Sequence, residues 1–265
     1  MGSSTRTYPG CGPYPRRVPD GRHQRDWEDL ARLDPQWAIL AGDAERFGGW
    51  DDDAFWATGR REVEKALRRA DKLGHPVPRG RALEFGCGTG RVTRALAAHF
   101  DACLGLDISP HMVEQARSAN ADVPNVAFEV NVGERIAAPS EAFDLVYTRL
   151  VLQHVPGRAA ILAYVRELTR VLAPGGLLLF QLPSHIPWRH RLQPQRRLYA
   201  GLRGLGVPAE TLYRRLRLQP IRMSAVPVAE VTGVLEASGA RVIEVATGRS
   251  VVESSTYYAT REEPA

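Results

Sequence analysis

The sequence predicts an α/β fold, a mostly parallel sheet covered by helices on both faces. Three observations carry that prediction. From about residue 80, short apolar runs alternate with stretches of helical periodicity. A glycine-rich loop separates the first such run from the helix after it. The composition, 44% apolar and 25% charged in 265 residues, suffices for one large core and excludes a disordered or collagen-like chain. Alternating strands and helices join through right-handed crossovers, so the sheet is doubly wound.

Residues 1–26 are rich in Pro, Gly and Arg, show no apolar period, and are expected to form a disordered tail. Residues 27–75 change texture and are expected to be a helical segment ahead of the core. Leu30, Leu33, Trp37 and Leu40 recur at helical spacing. Asp51–Asp53 offer an anionic start to a second helix, which Phe55, Val63, Leu67 and Leu73 continue to Gly74. The core spans residues 80–265. Its expected strands are Arg81–Phe85, Cys103–Leu106, Val126–Val130, Phe143–Tyr147 and Leu177–Leu182, then Arg241–Val245 and Thr256–Thr260. Helices follow the glycine loop, open at Ser109-Pro110, and run over Ala159–Leu172 and Pro227–Ser238. Pro174-Gly175-Gly176 is expected as a turn. Residues 183–222 interrupt the rhythm with nine arginines and one acidic residue, Glu210.

The net charge of +5 is mild, so an anionic partner is permitted and nucleic acid is not demanded. Cys11, Cys87 and Cys103 form no C-x-x-C pair, which disfavours a disulfide framework or a cysteine zinc site. No apolar run approaches the roughly 20 residues that span a bilayer. The N-terminus has no apolar signal core, and Arg6 stands where myristoylation wants Ser or Thr. A soluble cytoplasmic protein is expected, without a metal, and as a monomer or homodimer.

The strongest local signal is Glu84-Phe85-Gly86-Cys87-Gly88-Thr89-Gly90, at the carboxyl end of the first strand. Open α/β sheets bind ligands there, and glycines let the backbone turn tightly and approach a ligand. A dinucleotide fingerprint needs glycine at position 91, which is Arg91, and no G-K-[ST] follows. Asp107 ends strand two, where a carboxylate can accept from both hydroxyls of a ribose. Turn chemistry for the glycines, and a cap beside Ser109 for Asp107, are the plainer alternatives.

These residues resemble the class I S-adenosylmethionine-dependent methyltransferases of small-molecule type. LEFGCGTGR, LGLDIS, FDLVYTRLVLQHVP and LTRVLAPGGLLLFQLPS match four family segments in order, over about residues 80–183. The resemblance implies a Rossmann-like, seven-stranded sheet of order 3-2-1-4-5-7-6 with strand seven antiparallel, an N-terminal helical lid and a helical insert after strand five. It implies S-adenosyl-L-methionine as cofactor and S-adenosyl-L-homocysteine as product. In the loop around Cys87, Gly86 and Gly88 would pass the methionine moiety, and Glu84 would assist its ammonium directly or through water. Asp107 would hold the ribose, Ile108 and Met112 would flank the adenine, and Asn131-Val132 would face its edge. Val132 stands where many relatives carry aspartate. Either Asn131 or backbone atoms take that place, or the register is displaced by one.

Methyl transfer from a sulfonium needs alignment above all. An amine acceptor needs only a lone pair, whereas a hydroxyl needs a base. His154, after strand four, is the candidate base; its alternative is a loop histidine bracing Gln153-His154-Val155. Arg149 can contact cofactor or an acceptor carboxylate, or form a surface ion pair. Trp50, Phe55 and Trp56 pack a covering helix or close over the cofactor. In the insert, Leu198, Leu202, Leu205, Leu212, Tyr213 and Leu216 can form an apolar face, and five arginines a basic one. The insert caps a small-molecule pocket, favours a carboxylate or phosphate acceptor, or builds a dimer interface. The leading function is methylation of a small-molecule oxygen or nitrogen in specialised metabolite biosynthesis. The rivals are an RNA methyltransferase and a catalytically silent cofactor-binding or interaction protein.

Overall fold

The computed structural model describes residues 21–42, 45–249 and 252–262. Residues 1–20 of the expected tail lie outside them. Seven strands form one sheet of order β3-β2-β1-β4-β5-β7-β6. They are β1 (Arg81–Phe85), β2 (Ala102–Asp107), β3 (Val126–Val130), β4 (Phe143–Thr148), β5 (Leu172–His185), β6 (Ala240–Arg249) and β7 (Glu253–Arg261). The first five are parallel, and β7 runs antiparallel to β5 and β6. This is the predicted fold and strand order.

The period of two along each strand decides which helices cover which face. Ala82, Cys103, Leu145, Tyr147, Leu177 and Leu179 point to one face. There they meet Val63, Leu67 and Ala70 of α3 (Asp52–Lys72) and Val92 and Leu96 of α4 (Arg91–Ala97). The intervening residues Leu83, Leu104, Leu106, Val146, Leu178 and Phe180 point to the other face. There they meet Ile161, Val165 and Leu168 of α6 (Arg158–Val171) and Val231 and Leu235 of α9 (Val228–Ala237). Between them in sequence, α5 (Pro110–Ala119) packs Val113 and Ala116 on Phe128 of β3. Asp51 caps α3 by accepting from Ala54 N, and Ser109 caps α5 by accepting from Met112 N, as their residue types predict.

Three expectations need correction. Helix α1 (Gly21–Leu33) includes the six residues before Trp27, inside the segment expected as tail. Polar residues at its start hide its apolar period, but Gln24 and Glu28 bond to the core and hold it. Pro174-Gly175-Gly176 lies within β5 rather than ahead of it. The ladder slips between Phe143 and Leu145, so these residues bulge from it, with Gly175 at φ +73°. The insert forms α7 (Trp188–Arg191), α8 (Pro194–Gly204) and a π-helical turn over Thr211–Arg215. Its buried residues include Ile186, Tyr199, Leu212, Tyr213 and Leu218, while Leu198, Leu205 and Leu216 are exposed. The turn breaks the assumed single helical face.

Tyr213 packs with Leu30 and Ala31 of α1, Trp37 and Ala38 of α2 (Pro35–Ile39), and Met112. The N-terminal helices and the insert thus share one small core over the carboxyl edge of the sheet. Among the described residues no helix is long and apolar enough to cross a membrane.

Candidate functional site

The glycine loop leaves β1 and folds back on β2. Gly86 N and Cys87 N both donate to Leu106 O, at 2.7 and 3.0 Å. Gly88 sits at φ +53°, and a Cβ there would come 2.5 Å from Ile39 Cδ1. Gly90 caps α4 at φ +85°, where a Cβ would come 2.7 Å from both Asn120 and the Phe128 ring. Both positions therefore require glycine. Asp107 closes the loop: its Oδ2 accepts from Gly88 N and its Oδ1 from Ser109 N, each at 2.9 Å. Burial raises the Asp107 pKa against these bonds.

A cavity of about 110 Å³ opens between this loop and α1. Gly86, Gly88, Asp107, Ile108, Met112, Asn131, Arg149 and His154 all line it. The structure thus gathers eight of the eleven predicted site residues from four strand ends. Glu84, Cys87 and Val132 are outside the lining. Glu84 is buried beneath the loop, accepts from Thr93 Oγ1, and is pushed up to about 8 by burial. Cys87 turns into the pocket of Val113, Ala116 and Phe128, and burial drives its thiol pKa well up. Asn131 Oδ1 accepts from Ala137 N at 2.8 Å, which fixes the amide orientation. Its Nδ2 is buried without a partner among the described residues. Asn131 is thus a donor toward the cavity, not the acceptor that an aspartate would have been.

Arg149 lies 3.2 Å from Glu62 of α3, a contact the sequence did not reveal. Glu62 also meets Arg91 at 3.1 Å and accepts from Tyr147 Oη at 2.5 Å. The cavity-facing Leu150 that follows holds φ +60°, a conformation that tertiary packing must support. Phe55 packs edge to face against both Trp50 and Trp56, and all three stand outside the lining.

The roof of the cavity is α1. Gln24 donates to Ile108 O at 3.2 Å. Glu28 accepts from Ser109 Oγ at 2.6 Å and His111 N at 3.2 Å, so its carboxylate sits on the N-terminus of α5. His23 and Trp27 complete the roof. The tail assignment concealed the first of these, and no periodic signal marks the polar ones.

His154 stands in the wall between this cavity and a second one of about 580 Å³ beneath the insert. Its Nδ1 donates to Arg222 O at 2.5 Å, which leaves Nε2 to accept from the Gln153 amide at 3.2 Å. The Trp27 ring centroid lies 5.2 Å away. Burial lowers the His154 pKa to about 4, so the ring is neutral at pH 7. The bonds to Arg222 and Gln153 brace the ring, the arrangement expected as the alternative to catalysis, and the ring also lines both cavities.

A family profile described as a methyltransferase domain matches residues 83–180. The chain is 41% identical over 107 residues to the trans-aconitate 2-methyltransferase of Methylobacterium radiotolerans, covering 40% of this chain and 38% of that protein. It is 30% identical over 188 residues to the trans-aconitate 2-methyltransferase of Variovorax paradoxus, covering 69% of this chain and 67% of that one. The matched stretches span 38 to 51% of the first four curated relatives' own length. Among solved structures, magnesium protoporphyrin IX methyltransferase from Synechocystis PCC 6803 with bound SAH superposes with a TM-score of 0.59 at 20% identity. That superposition covers 92% of this chain and 100% of that one.

Proposed function

The chain belongs to the class I S-adenosylmethionine-dependent methyltransferases, and we propose that it methylates an oxygen or nitrogen of a small molecule, in specialised metabolism. One observation carries the proposal. Asp107 lies one strand over from two left-handed glycines, in the same cavity as the unpartnered Asn131 donor. That set fits a sulfonium nucleoside. Each Asp107 oxygen accepts one backbone N–H and keeps lone-pair capacity for a ribose hydroxyl. Asn131 Nδ2 offers a donor to a ring nitrogen of adenine, between Ile108 and Met112. Gly86 and Gly88 bring bare backbone to the cavity wall, packed closely by Val151 and Ile39, for the amino-acid end to approach, with Glu84 supporting the loop from below through Thr93.

Bound S-adenosylmethionine supplies an electrophilic methyl group whose thioether leaves readily. The remaining work is positioning and exclusion of water. The roof of α1 performs the second task, and it must lift to admit the nucleoside. An amine or carboxylate acceptor needs no base. For a hydroxyl, His154 Nε2 takes the proton once the Gln153 amide turns aside, while the Arg222 carbonyl keeps Nδ1 protonated.

Calorimetry with S-adenosylhomocysteine on the full chain tests this reading. We expect binding, with Asp107→Ala weakening it about 30-fold or more, the scale of a lost hydrogen bond to a charged group. Unchanged affinity in Asp107→Ala would remove the ribose assignment. Full turnover in His154→Ala would remove the base.

A further inference from the structure

The second cavity is unlike the first. Arg22, Arg25 and Arg203 line it, as do Arg196 and Arg222, opposed by Asp26 and Asp29. Asp29 is taken by Arg203, whose Nε and Nη2 lie 3.2 and 3.1 Å from it. Arg196 Nε is buried without a hydrogen-bond partner among the described residues. Buried donors are ordinarily paired, so this one is set for a ligand. The guanidinium fork matches a carboxylate or phosphate in shape and charge. Asp26 stays close to these arginines although burial pushes its carboxyl up to about 6. It is the nearby counter-charge that an incoming anion would replace. Trp27, Leu30 and Tyr199 give the same cavity an apolar wall for a carbon skeleton. Its walls come from α1 on one side and α8 on the other. That enclosure suits a small molecule rather than a polynucleotide.

We propose that this cavity takes the methyl acceptor as an oxyanion, a carboxylate or phosphate gripped by Arg196 and Arg222, with the reacting atom delivered to the His154 wall. The proposal rests on the reading that the neighbouring cavity holds the methyl donor. It assigns the insert its role: the insert supplies the charge that selects the acceptor, and the sheet edge supplies the donor site.

The test is calorimetry on the full chain, with and without S-adenosylhomocysteine, using citrate, its neutral triamide and inorganic phosphate as probes. Citrate or phosphate should bind and the triamide should not. The better of the two identifies the oxyanion. Arg196→Gln should weaken that probe about tenfold or more, and Arg196→Lys less, since the charge stays and the fork is lost. Asp26→Asn should tighten it about threefold by removing a competing negative charge. S-adenosylhomocysteine affinity should stay within about twofold in all three variants, which also certifies their folding. Three results would overturn the proposal: neither anion binds, the triamide binds as well as citrate, or Arg196→Gln changes nothing. Displacement of citrate by a single-stranded RNA oligomer at physiological salt would overturn it in favour of a polynucleotide. Failure of S-adenosylhomocysteine to bind the unaltered chain would instead overturn the donor reading, while the titrations without it still score the anion site.

Discussion

The sheet and the roof above it are held together by different physics. The sheet is a continuous apolar core, with Phe180 stacked on Tyr257 at 4.6 Å and both fully buried. The roof joins α1, α2 and the insert through polar anchors around a small cluster. Its centre is Asp34, a buried carboxylate that accepts from Phe47 N at 2.6 Å, Tyr213 Oη at 2.8 Å and Gly48 N at 3.1 Å. Above it the Arg46 guanidinium lies 4.7 Å from the Trp37 ring centroid and 4.5 Å from that of Tyr213. The difference teaches that the two regions answer to different bonding and should open separately. Apolar burial is cooperative, whereas a few hydrogen bonds can break locally without unfolding the rest.

The sharpest way to break this comparison is to damage each region separately. Phe180→Ala should cost about 3–5 kcal/mol of global stability, as large-to-small changes in a packed core do, and should lower the melting temperature of the whole chain. Asp34→Ala leaves four donors, the α2 cap donor Trp37 N among them, without their shared acceptor and should cost about 2–3 kcal/mol. Hydrogen exchange should then rise in α1, α2 and the Thr211–Arg215 turn while the sheet stays protected. If the sheet exchanges equally fast, the two regions form one cooperative unit and the comparison fails.

Acid gives the next effect. Burial lowers His23 and His154 to about 4, below the ordinary value of 6.5. Between these values the unfolded chain binds protons that the folded chain does not. Their contribution is therefore complete above pH 6.5 and is lost as pH falls toward 4, on the order of 2 kcal/mol per buried ring. Asp26 and Glu84, raised to about 6 and 8, act in the opposite sense, since their stabilisation falls as pH rises. Melting of His23→Asn beside the unaltered chain, at pH 7.5 and 4.5 as rough end points, isolates the histidine part. A constant difference between the two would remove it. The smallest effect is expected from Glu28→Gln, which weakens the anchor of α1 on α5 by about 1 kcal/mol. It should speed S-adenosylhomocysteine association and leave global melting nearly unchanged.

Legibility followed the same division. The boundaries of β1 and β3 are those the sequence predicts, because their apolar runs are bounded by turn residues on both sides. The places of Gly88 and Asp107 on the cavity wall were legible because strand ends are fixed by local pattern, and that of Asn131 through the family resemblance. The orientation of the Asn131 amide was not, since it depends on Ala137 six residues on. Glu62 was hidden because its partners Arg91, Tyr147 and Arg149 come from other elements. The exposed Leu198, Leu205 and Leu216 show that a helical period assigned across a π-helical turn places the wrong face inward.

By itself the amino-acid sequence determined the doubly wound sheet, its strand order through the family resemblance, the glycine loop and the carboxylate beside it. These depend on periodicity and turn chemistry over a few residues, which a linear chain records directly. Tertiary structure alone decided that Gly21–Asp26 belong to α1, that Tyr213 meets Asp34 across 179 positions, and that two cavities share a wall at His154. Those contacts are single, polar and distant in the chain. They have no repeat to announce them, and only folding brings their partners together.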